Sequence, residues 1–356
     1  MNSKELLHSI IQRIATGPEM SKNISLEDSK QGMQAILNSE IEDVQSAIFL
    51  IAMRMKRETM DENIGILMAL KGHTNFENTS VKDLIDIGDP YSGYNRSIPV
   101  SSFLPPLLAE LGLPTVIHGL ESVSPKFGLT HRHIYQALGE EVDLTVGGAK
   151  NRIEDEVVGW SYIDQSQYCK ELHNLVPLRN KIIKRTVLNT VESLIGPLRG
   201  VSTHSVLGYV HKAYPPIYSK LAEKSGFTSS LVIRGVEGGV VPSLRQKGLM
   251  YSYYQGIEKN KVDLEPKAIG IESDLRAIQV PKNLERRENI GNLAKHVANL
   301  GLEALAGKKG MFYDGLLYSA SLIIWHLEIE DSILNASERV RVILDSEKSL
   351  DRVKAN

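Results

Sequence analysis

Apolar residues in the first 75 positions recur every three or four residues, which is the period of an amphipathic helix. Leu7, Ile10 and Ile14 follow this spacing in the first such segment. Thr59 stands three residues before Glu62, and that is the spacing of a capping box at the start of a helix. The pattern therefore predicts that this part of the chain is built from successive helices.

After about residue 80 the pattern changes to short apolar runs that end in or near glycine. Helical stretches such as SSFLPPLLAELG (101–112) separate several of the runs, and residues from about 165 to 200 are helical in pattern again. This alternation predicts an α/β fold, with an all-helical N-terminal part and a mainly parallel central sheet flanked by helices. The runs predicted as strands are LIDIG (84–88), TVIHG (115–119), DLTVG (143–147), HSVLGY (204–209) and LVIRG (231–235).

Composition narrows the class of protein only a little. The chain has 356 residues and a formal net charge of −2, so no overall basic field indicates nucleic acid, although a local patch is compatible with this balance. A single cysteine, Cys169, cannot form an internal disulfide, which fits a reducing cytoplasm. LLYSASLIIWHL (316–327) is too short to span a membrane and predicts a buried helix. We expect a cytoplasmic protein with no membrane span.

Two segments that follow predicted strands carry candidate binding chemistry. DIGDPYSGYNRS (86–97) is rich in Gly, Asp, Asn and Ser, whose backbone N–H groups and hydroxyls can hold a phosphate. The alternative for this segment is a solvated loop. IHGLESVSPKFG (117–128) places a histidine, two serines and a lysine after a strand, although a lone histidine is more often structural. The side chains concerned are His118, Ser122, Ser124 and Lys126.

Two further segments leave structural and functional interpretations open. In SLVIRGVEGGVVPS (230–243), Arg234 and Glu237 flank a glycine, and we favour a pair that shapes the turn over contact with a ligand. PLRNKIIKR (177–185) concentrates cations on two helical turns, which suits a solvated helix face equally well as a site for a carboxylate, a phosphate or a nucleic-acid backbone. Its cations are Arg179, Lys181, Lys184 and Arg185.

In this order, and over nearly the whole chain, the segments resemble the anthranilate phosphoribosyltransferase family. PLRNKIIKRT (177–186) has the spacing of the family segment PVRxxLGxRT, IGPL (195–198) matches the LGPL that follows it, and VRVILDSEKSLDRV (340–353) is similar to the closing helix. The resemblance implies a helical domain over residues 1–78, completed by helices at about 165–195. It implies an α/β domain over residues 79–164 and 196–356, and a homodimer packed through the helical domains.

The resemblance also implies an activity. The family transfers a phosphoribosyl group from phosphoribosyl pyrophosphate to the amine of anthranilate, with Mg²⁺ on the pyrophosphate. Because pyrophosphate leaves C1 of the ribose, backbone donors and the metal must stabilise growing negative charge.

The family's binding residues carry over to this chain only in part. Its glycine loop GTGGD becomes GDPYSG (88–93), in which Pro90 removes one N–H group. In the family's KHGNRSVSSKSG, the lysine becomes Ile117 and the arginine becomes Glu121. Arg179 matches the arginine that faces the carboxylate of anthranilate, so Arg179 and His118 are the expected acceptor-binding residues. The residues expected to bind the phosphoribosyl and pyrophosphate groups are Gly88, Asp89, Asn95, Ser97, His118, Gly119, Ser122, Ser124 and Lys126.

The expected magnesium site is the largest departure. The family loop HGxDGLDEIS carries an adjacent Asp-Glu pair for Mg²⁺, and Val240 and Val241 stand in that place here. Valine cannot ligate a hard cation, which needs oxygen ligands, so Glu237 is the remaining metal candidate of this loop. The resemblance thus implies Mg²⁺, whereas the residues present argue against ordinary magnesium-dependent catalysis.

Two functions remain open at this point. The first is phosphoribosyl or related glycosyl transfer to an aromatic amine or similar acceptor, which makes the protein a pentosyltransferase that binds phosphoribosyl pyrophosphate or another phosphorylated ligand. The second is a non-catalytic, nucleic-acid-binding homologue on the same fold, because RGVEGG (234–239) with GYVHKAY (208–214) is closer to a divergent branch of the family. Its members have lost the magnesium acids, and at least some are thought to bind nucleic acid.

Overall fold

The N-terminal part of the computed structural model, which describes residues 2–17 and 19–354, is a bundle of four helices. Residues 1, 355 and 356, the outermost positions of the expected domains, lie outside the described residues. The capping box that the sequence predicts begins the fourth of these helices: the side chain of Thr59 accepts a hydrogen bond from the backbone N–H of Glu62, and the Glu62 carboxylate accepts one from the backbone N–H of Thr59. The helices are α1 (Ser3–Ile14), α2 (Leu26–Leu37), α3 (Asp43–Met55) and α4 (Met60–Gly72).

Strands from the rest of the chain form a seven-stranded sheet and a separate two-stranded pair. The strands are β1 (Glu77–Asn78), β2 (Asp83–Gly88), β3 (Thr115–Gly119), β4 (Trp160–Asp164), β5 (Leu198–Arg199), β6 (Ser202–Tyr209), β7 (Ser229–Arg234), β8 (Gly248–Tyr254) and β9 (Ile257–Leu264). The sheet order is β4-β3-β2-β6-β7-β8-β9, and β1 pairs with β5. The strands from β4 to β7 in this order are parallel, whereas β8 and β9 add an antiparallel hairpin at one edge.

Helices connect the parallel strands and cover both faces of the sheet. They are α5 (Leu104–Glu110), α6 (His131–Leu138), α7 (Val146–Glu154), α8 (Gln165–Tyr168), α9 (Lys170–His173), α10 (Val176–Ile182), α11 (Leu188–Val191), α12 (Tyr214–Ser225), α13 (Ile290–Leu305), α14 (Met311–His326), α15 (Ile333–Asp345) and α16 (Lys348–Lys354). The predicted fold class, a helical domain followed by a larger α/β domain with a mainly parallel sheet, is confirmed.

One predicted strand is wrong. DLTVG (143–147) ends in the start of α7, because the side chain of Thr145 accepts a hydrogen bond from the backbone N–H of Gly148 and caps that helix. A threonine followed by small residues satisfies the free N–H groups of a helix start, and this local preference outweighs the short apolar run.

The two faces of the sheet carry two apolar cores. Successive residues of β2 point to opposite faces, so that Leu84 belongs to one core and Ile85 to the other. Parallel strands covered on both sides need apolar residues on both faces, which explains the short, mainly apolar runs that predict these strands. The Ile85 core contains side chains from α5, α13 and α14, whereas the Leu84 core contains side chains of the helical domain.

Helices that follow β4 return to the N-terminal bundle. Leu178 of α10 and Leu188 of α11 lie in the same apolar core as Leu67 of α4. The exact domain boundaries stay a prediction. So does the homodimer, for which α3 offers an exposed stripe of Val44, Ile48 and Met55. No helix in the described part of the chain is long and apolar enough to cross a membrane.

Candidate functional site

The loops that follow the parallel strands meet at one edge of the sheet. The carboxyl ends of β2, β3, β6 and β7 all lie there, because these strands run in the same direction. The loop after β2 and the loop after β7 are joined directly, since Asp89 accepts a hydrogen bond of 2.9 Å from the backbone N–H of Val240. Gly208 at the end of β6 leaves no room for a side chain, because the carbonyl of Gly239 packs against it.

Asp89, predicted to contact the phosphoribosyl ligand, is fully used inside the protein. Its carboxylate accepts hydrogen bonds from the hydroxyls of Tyr94 at 2.8 Å and Ser101 at 2.5 Å, and it lies 3.1 Å from Nε2 of His131. Burial alone would raise the pKa of this carboxyl, but the contacts with His131, Ser101 and Tyr94 hold the pKa below its usual value. The charged carboxylate therefore ties two loops together, and its binding role stays a prediction.

Ser97 and Lys126 meet at a carboxylate of the protein itself. Oε1 of Glu237 accepts hydrogen bonds from the backbone N–H of Arg96 at 2.9 Å, the backbone N–H of Ser97 at 2.8 Å and the Ser97 hydroxyl at 2.9 Å. Oε2 accepts from Nζ of Lys126 at 2.9 Å. The expected pairing of Glu237 with Arg234 is therefore wrong, because other donors surround the carboxylate. Burial opposes ionisation, yet Lys126 and the Ser97 and Arg96 donors hold the pKa of Glu237 below its usual value.

A cleft of about 720 Å³ opens beside this contact. Asn95, Ser97, Lys126 and Glu237 line it together with five arginines: Arg96, Arg185, Arg234, Arg245 and Arg276. The acidic lining residues are Glu237, which pairs with Lys126, and Asp274. Among the residues that the structure describes, no carboxylate lies within ion-pairing distance of the five arginines. We call this region the basic cleft.

Backbone pairing between distant segments builds the basic cleft. The N–H of Leu244 donates to the carbonyl of Arg276 at 3.0 Å, and the N–H of Val280 donates to the carbonyl of Arg96 at 3.1 Å. Ser97 also forms a bridge with Gln279. These contacts place Arg245 and Arg276 in the site, although sequence reasoning missed both. Their loops carry no strand-to-glycine pattern, so only the chain path reveals them.

A smaller cavity of about 80 Å³ adjoins the basic cleft. Gly88 and Asp89 line it together with three tyrosines, Tyr91, Tyr209 and Tyr214. Arg185 and Glu237 line both hollows. The predicted phosphoribosyl residues Gly88 and Asp89 thus lie at the small cavity, whereas Asn95, Ser97 and Lys126 lie at the basic cleft.

His118 lies behind the small cavity with 1% of its surface exposed. Its Nε2 is 2.9 Å from Asp86, and its Nδ1 is 2.6 Å from the hydroxyl of Tyr91, which in turn contacts Tyr168. Both ring nitrogens are therefore satisfied internally. Gly119 is buried at the end of the same strand, with the ring of Tyr162 as its neighbour. The ligand-binding roles of His118 and Gly119 stay predictions.

The predicted acceptor residue Arg179 is also inside the protein. Its guanidinium donates two hydrogen bonds of 2.7 Å to the carboxylate of Glu192. The hydroxyl of Ser124 donates to the carbonyl of Arg179 at 2.7 Å, which fastens the loop after β3 to α10, and Ser122 is half-buried in that loop. An acceptor carboxylate would have to open the buried ion pair to reach Arg179, so this role stays a prediction.

The residues present do not fit a magnesium site. Val240 is buried, and Val241 packs against an apolar core. The carboxylate oxygens of Asp89 and Glu237 accept hydrogen bonds from donors of the protein itself. Within residues 2–17 and 19–354, no cluster of three histidine, cysteine or acidic residues could hold a metal ion. These residues therefore offer no ligand set through which Mg²⁺ could act.

The fold and the loop-lined edge define a two-domain glycosyl transferase architecture, and comparison with known proteins agrees. A glycosyl transferase family matches this chain twice: its helical bundle domain over residues 8–74 and its α/β domain over residues 92–350. The chain therefore belongs to this family, which includes the anthranilate phosphoribosyltransferases.

Individual relatives are distant but cover nearly the whole chain. An uncharacterized protein of Aquifex aeolicus is 27% identical over 322 residues, which is 90% of this chain and 93% of that protein. The anthranilate phosphoribosyltransferase of Thermomicrobium roseum is 23% identical over 98% of this chain and 95% of its own length.

Solved structures agree in fold. The anthranilate phosphoribosyltransferase of Thermus thermophilus superimposes with a TM-score of 0.73 at 18% identity, covering 98% of this chain and 97% of its own. The Saccharomyces cerevisiae enzyme in complex with PRPP and Mg gives a TM-score of 0.76 at 15% identity, covering 99% of this chain and 96% of its own.

Proposed function

We propose that this protein binds nucleic acid in the basic cleft. The observation that carries the proposal is the group of five arginines that line one concavity without a carboxylate partner in the described chain: Arg96, Arg185, Arg234, Arg245 and Arg276. Unpaired surface guanidinium groups repel one another, and a ligand with a row of phosphates relieves that repulsion and makes bidentate contacts. The net charge of −2 does not account for a cluster of unpaired arginines, so the cluster supports binding of an anion in this cleft.

The same residues argue against magnesium-dependent transfer as the main activity. A transferase of this kind needs its pyrophosphate stabilised as it leaves, and the acids that would hold the metal are replaced by Val240 and Val241. Asp89 is committed to holding two loops together. The hydrogen-bond donors that remain at the site suit a protein that binds a phosphate group and does not catalyse a reaction on it.

Binding of labelled oligonucleotides tests the proposal. We expect single- or double-stranded DNA or RNA to raise fluorescence anisotropy at low salt, and the variant R234A/R245A to lose affinity at least about tenfold, because two phosphate contacts disappear. The matched control is K267A/K308A, which removes the same charge from surface ion pairs outside the cleft. Equal effects of the two variants, or no binding by the wild type, would contradict the proposal.

Phosphoribosyl transfer is the second candidate function. Two observations favour it: relatives named anthranilate phosphoribosyltransferase align along nearly the whole chain, and Ser97 and Lys126, which the family resemblance predicts to bind phosphate, lie together at the basic cleft. In that reaction the nitrogen of an aromatic amine forms a bond to C1 of the ribose, pyrophosphate leaves with the bonding electrons, and the amine loses a proton.

A thermal-shift titration separates the two candidates. A ligand that binds the native state raises the melting temperature, so phosphoribosyl pyrophosphate with Mg²⁺ stabilises a transferase. Our proposal predicts no additional rise when Mg²⁺ accompanies phosphoribosyl pyrophosphate. A rise that requires both, together with release of pyrophosphate in the presence of anthranilate, would establish the second candidate instead.

A further inference from the structure

The wall of the basic cleft contains a set of donors of the kind that binds phosphate. Two successive backbone N–H groups, of Arg96 and Ser97, point to the same place as the Ser97 hydroxyl and the Lys126 ammonium group. Successive N–H groups with a hydroxyl and a cation make a concave site for an oxyanion. We call these four groups the anion cradle.

The anion cradle already holds an anion, and that anion belongs to the protein. Glu237 reaches it from the loop after β7, 140 residues further along the chain than Ser97. Its backbone adopts φ 55, a left-handed conformation that residues other than glycine rarely take. This conformation is accompanied by four hydrogen bonds to the carboxylate, which indicates that the loop is shaped to deliver the carboxylate to the cradle.

A phosphate group is the stronger occupant of such a cradle. The carboxylate of Glu237 brings one negative charge and two oxygens, whereas a phosphate monoester brings about −1.5 to −2 charges and three oxygens at neutral pH. The cradle opens on the basic cleft, and the positive charges of Arg96 and Arg185 reach Lys126 there, so an entering phosphate gains from both arginines. The displaced carboxylate stays inside a cleft that is rich in arginine, which limits the penalty of displacing it.

We propose that Glu237 is an internal gate: its carboxylate occupies the anion cradle, and a phosphate group of a ligand must displace it to bind. If the proposed function is right, the phosphate belongs to the end of a nucleic acid, and this part of the inference rests on that function. If the proposed function is wrong, the phosphate belongs to a free phosphate monoester. The gate lowers the affinity of the cradle for weaker anions.

The variant E237Q tests the gate, because an amide keeps the size of the side chain and removes its charge. We expect E237Q to bind a 5′-phosphorylated oligonucleotide at least about fivefold more tightly than the wild type, with a smaller gain for the 5′-hydroxyl oligonucleotide of the same sequence. Inorganic phosphate alone should raise the melting temperature of E237Q and leave that of the wild type nearly unchanged.

Two controls separate the gate from a general effect of charge. D274N removes a carboxylate that lines the same cleft outside the cradle, so it measures the effect of net charge. S97A added to E237Q removes one cradle donor and should abolish most of the phosphate response. E237G, which suits φ 55 and has no side chain to fill the cradle, serves if E237Q is poorly folded.

The outcomes distinguish this inference from the proposed function. If E237Q and D274N increase the affinity for every ligand by the same factor, the gate is wrong, even where nucleic acid binds. If no oligonucleotide binds any variant, the proposed function fails, and the inorganic-phosphate titration still decides the gate. If inorganic phosphate raises the melting temperature of E237Q and the added S97A substitution removes that rise, the gate is supported. If inorganic phosphate raises the melting temperature of neither Glu237 variant, the gate is wrong.

Discussion

Arg179 shows how a residue's surroundings decide its role. The side chain is 1% exposed, and Glu192 holds its guanidinium through two hydrogen bonds of 2.7 Å. A buried ion pair adds little to stability as a whole, but removal of one partner leaves an uncompensated charge in the interior. The structural role of Arg179 is therefore separable from a role in ligand binding.

We predict that R179A lowers the free energy of unfolding by about 3–5 kcal/mol, because Glu192 would remain buried without its partner. Urea denaturation of the purified protein measures this. R234A, which removes an exposed arginine with no carboxylate partner in the described chain, is the matched control and should change stability by about 0.5 kcal/mol or less. An R179A protein as stable as the wild type would mean that Arg179 is free to meet a ligand.

At this scale the sequence could identify donors but not their partners. Ser97 and Lys126 stand out because they belong to Ser- and Gly-rich segments after strands. Their contact with Glu237 joins positions 140 and 111 residues apart, and no local pattern encodes such a pairing. The resemblance to the family likewise marked Asp89 and Arg179 without indicating that both are held by internal partners.

At the scale of elements, α14 is fastened to the sheet by its last residue. His326 contacts the hydroxyl of Ser229 on β7 through Nε2 at 2.8 Å and the hydroxyl of Ser252 on β8 through Nδ1 at 2.7 Å. A neutral imidazole satisfies both hydroxyls, since one ring nitrogen donates and the other accepts. Burial, with help from nearby His204 and Lys259, lowers the pKa of His326 to about 3.

We predict that stability falls as the pH is lowered because of this histidine. The unfolded chain binds the proton with a pKa of about 6.5. The folded chain resists protonation until about pH 3, so the unfolded state holds more protons between these values. The contribution of His326 is thus complete above about pH 6.5 and is lost as pH falls, at up to about 1.4 kcal/mol per pH unit.

Urea unfolding at several pH values between neutral and mildly acidic measures the slope. H326Q should make the slope shallower, and H8Q, at an exposed position of α1, should leave it unchanged. Burial also lowers the pKa of His204, so a smaller slope should remain in H326Q. An H326Q protein with the wild-type slope would contradict a half-buried imidazole that stays neutral in the folded protein.

The position of a strand in the sheet decides whether its sequence pattern predicts it. Central strands such as β2 and β7 are buried on both faces and therefore appear as short, mainly apolar runs. β9 is mostly exposed at the sheet edge and carries the polar sequence IEKNKVDL, so no apolar pattern reveals it. The turn before it, Gln255-Gly256, has positive φ at both residues, and that Gly was the available signal for a hairpin.

At the scale of the molecule, charge is segregated although the total is close to zero. The arginines of the basic cleft are spread along the chain, and only Arg185 belongs to a charge run, so neither net charge nor a local pattern could reveal the group as a whole. The overall architecture was predictable because alternation of helices and strands persists along the chain, and the collinear family segments agree with it. The basic cleft depends on how the segment around Arg276 folds back on the loop that carries Arg96, which requires the three-dimensional structure.

We propose that the basic cleft binds the phosphate backbone of nucleic acid, and such binding must weaken steeply as salt is added. Anisotropy titrations of one oligonucleotide over a series of salt concentrations give the slope of log K against log salt. Each phosphate contact contributes about −0.7 for single strands and about −0.9 for duplex DNA, so we predict a steep slope that R234A/R245A makes shallower by about 1 to 2. No binding at low salt, or a slope that stays the same in R234A/R245A and in K267A/K308A, would show that the basic cleft does not bind the phosphate backbone.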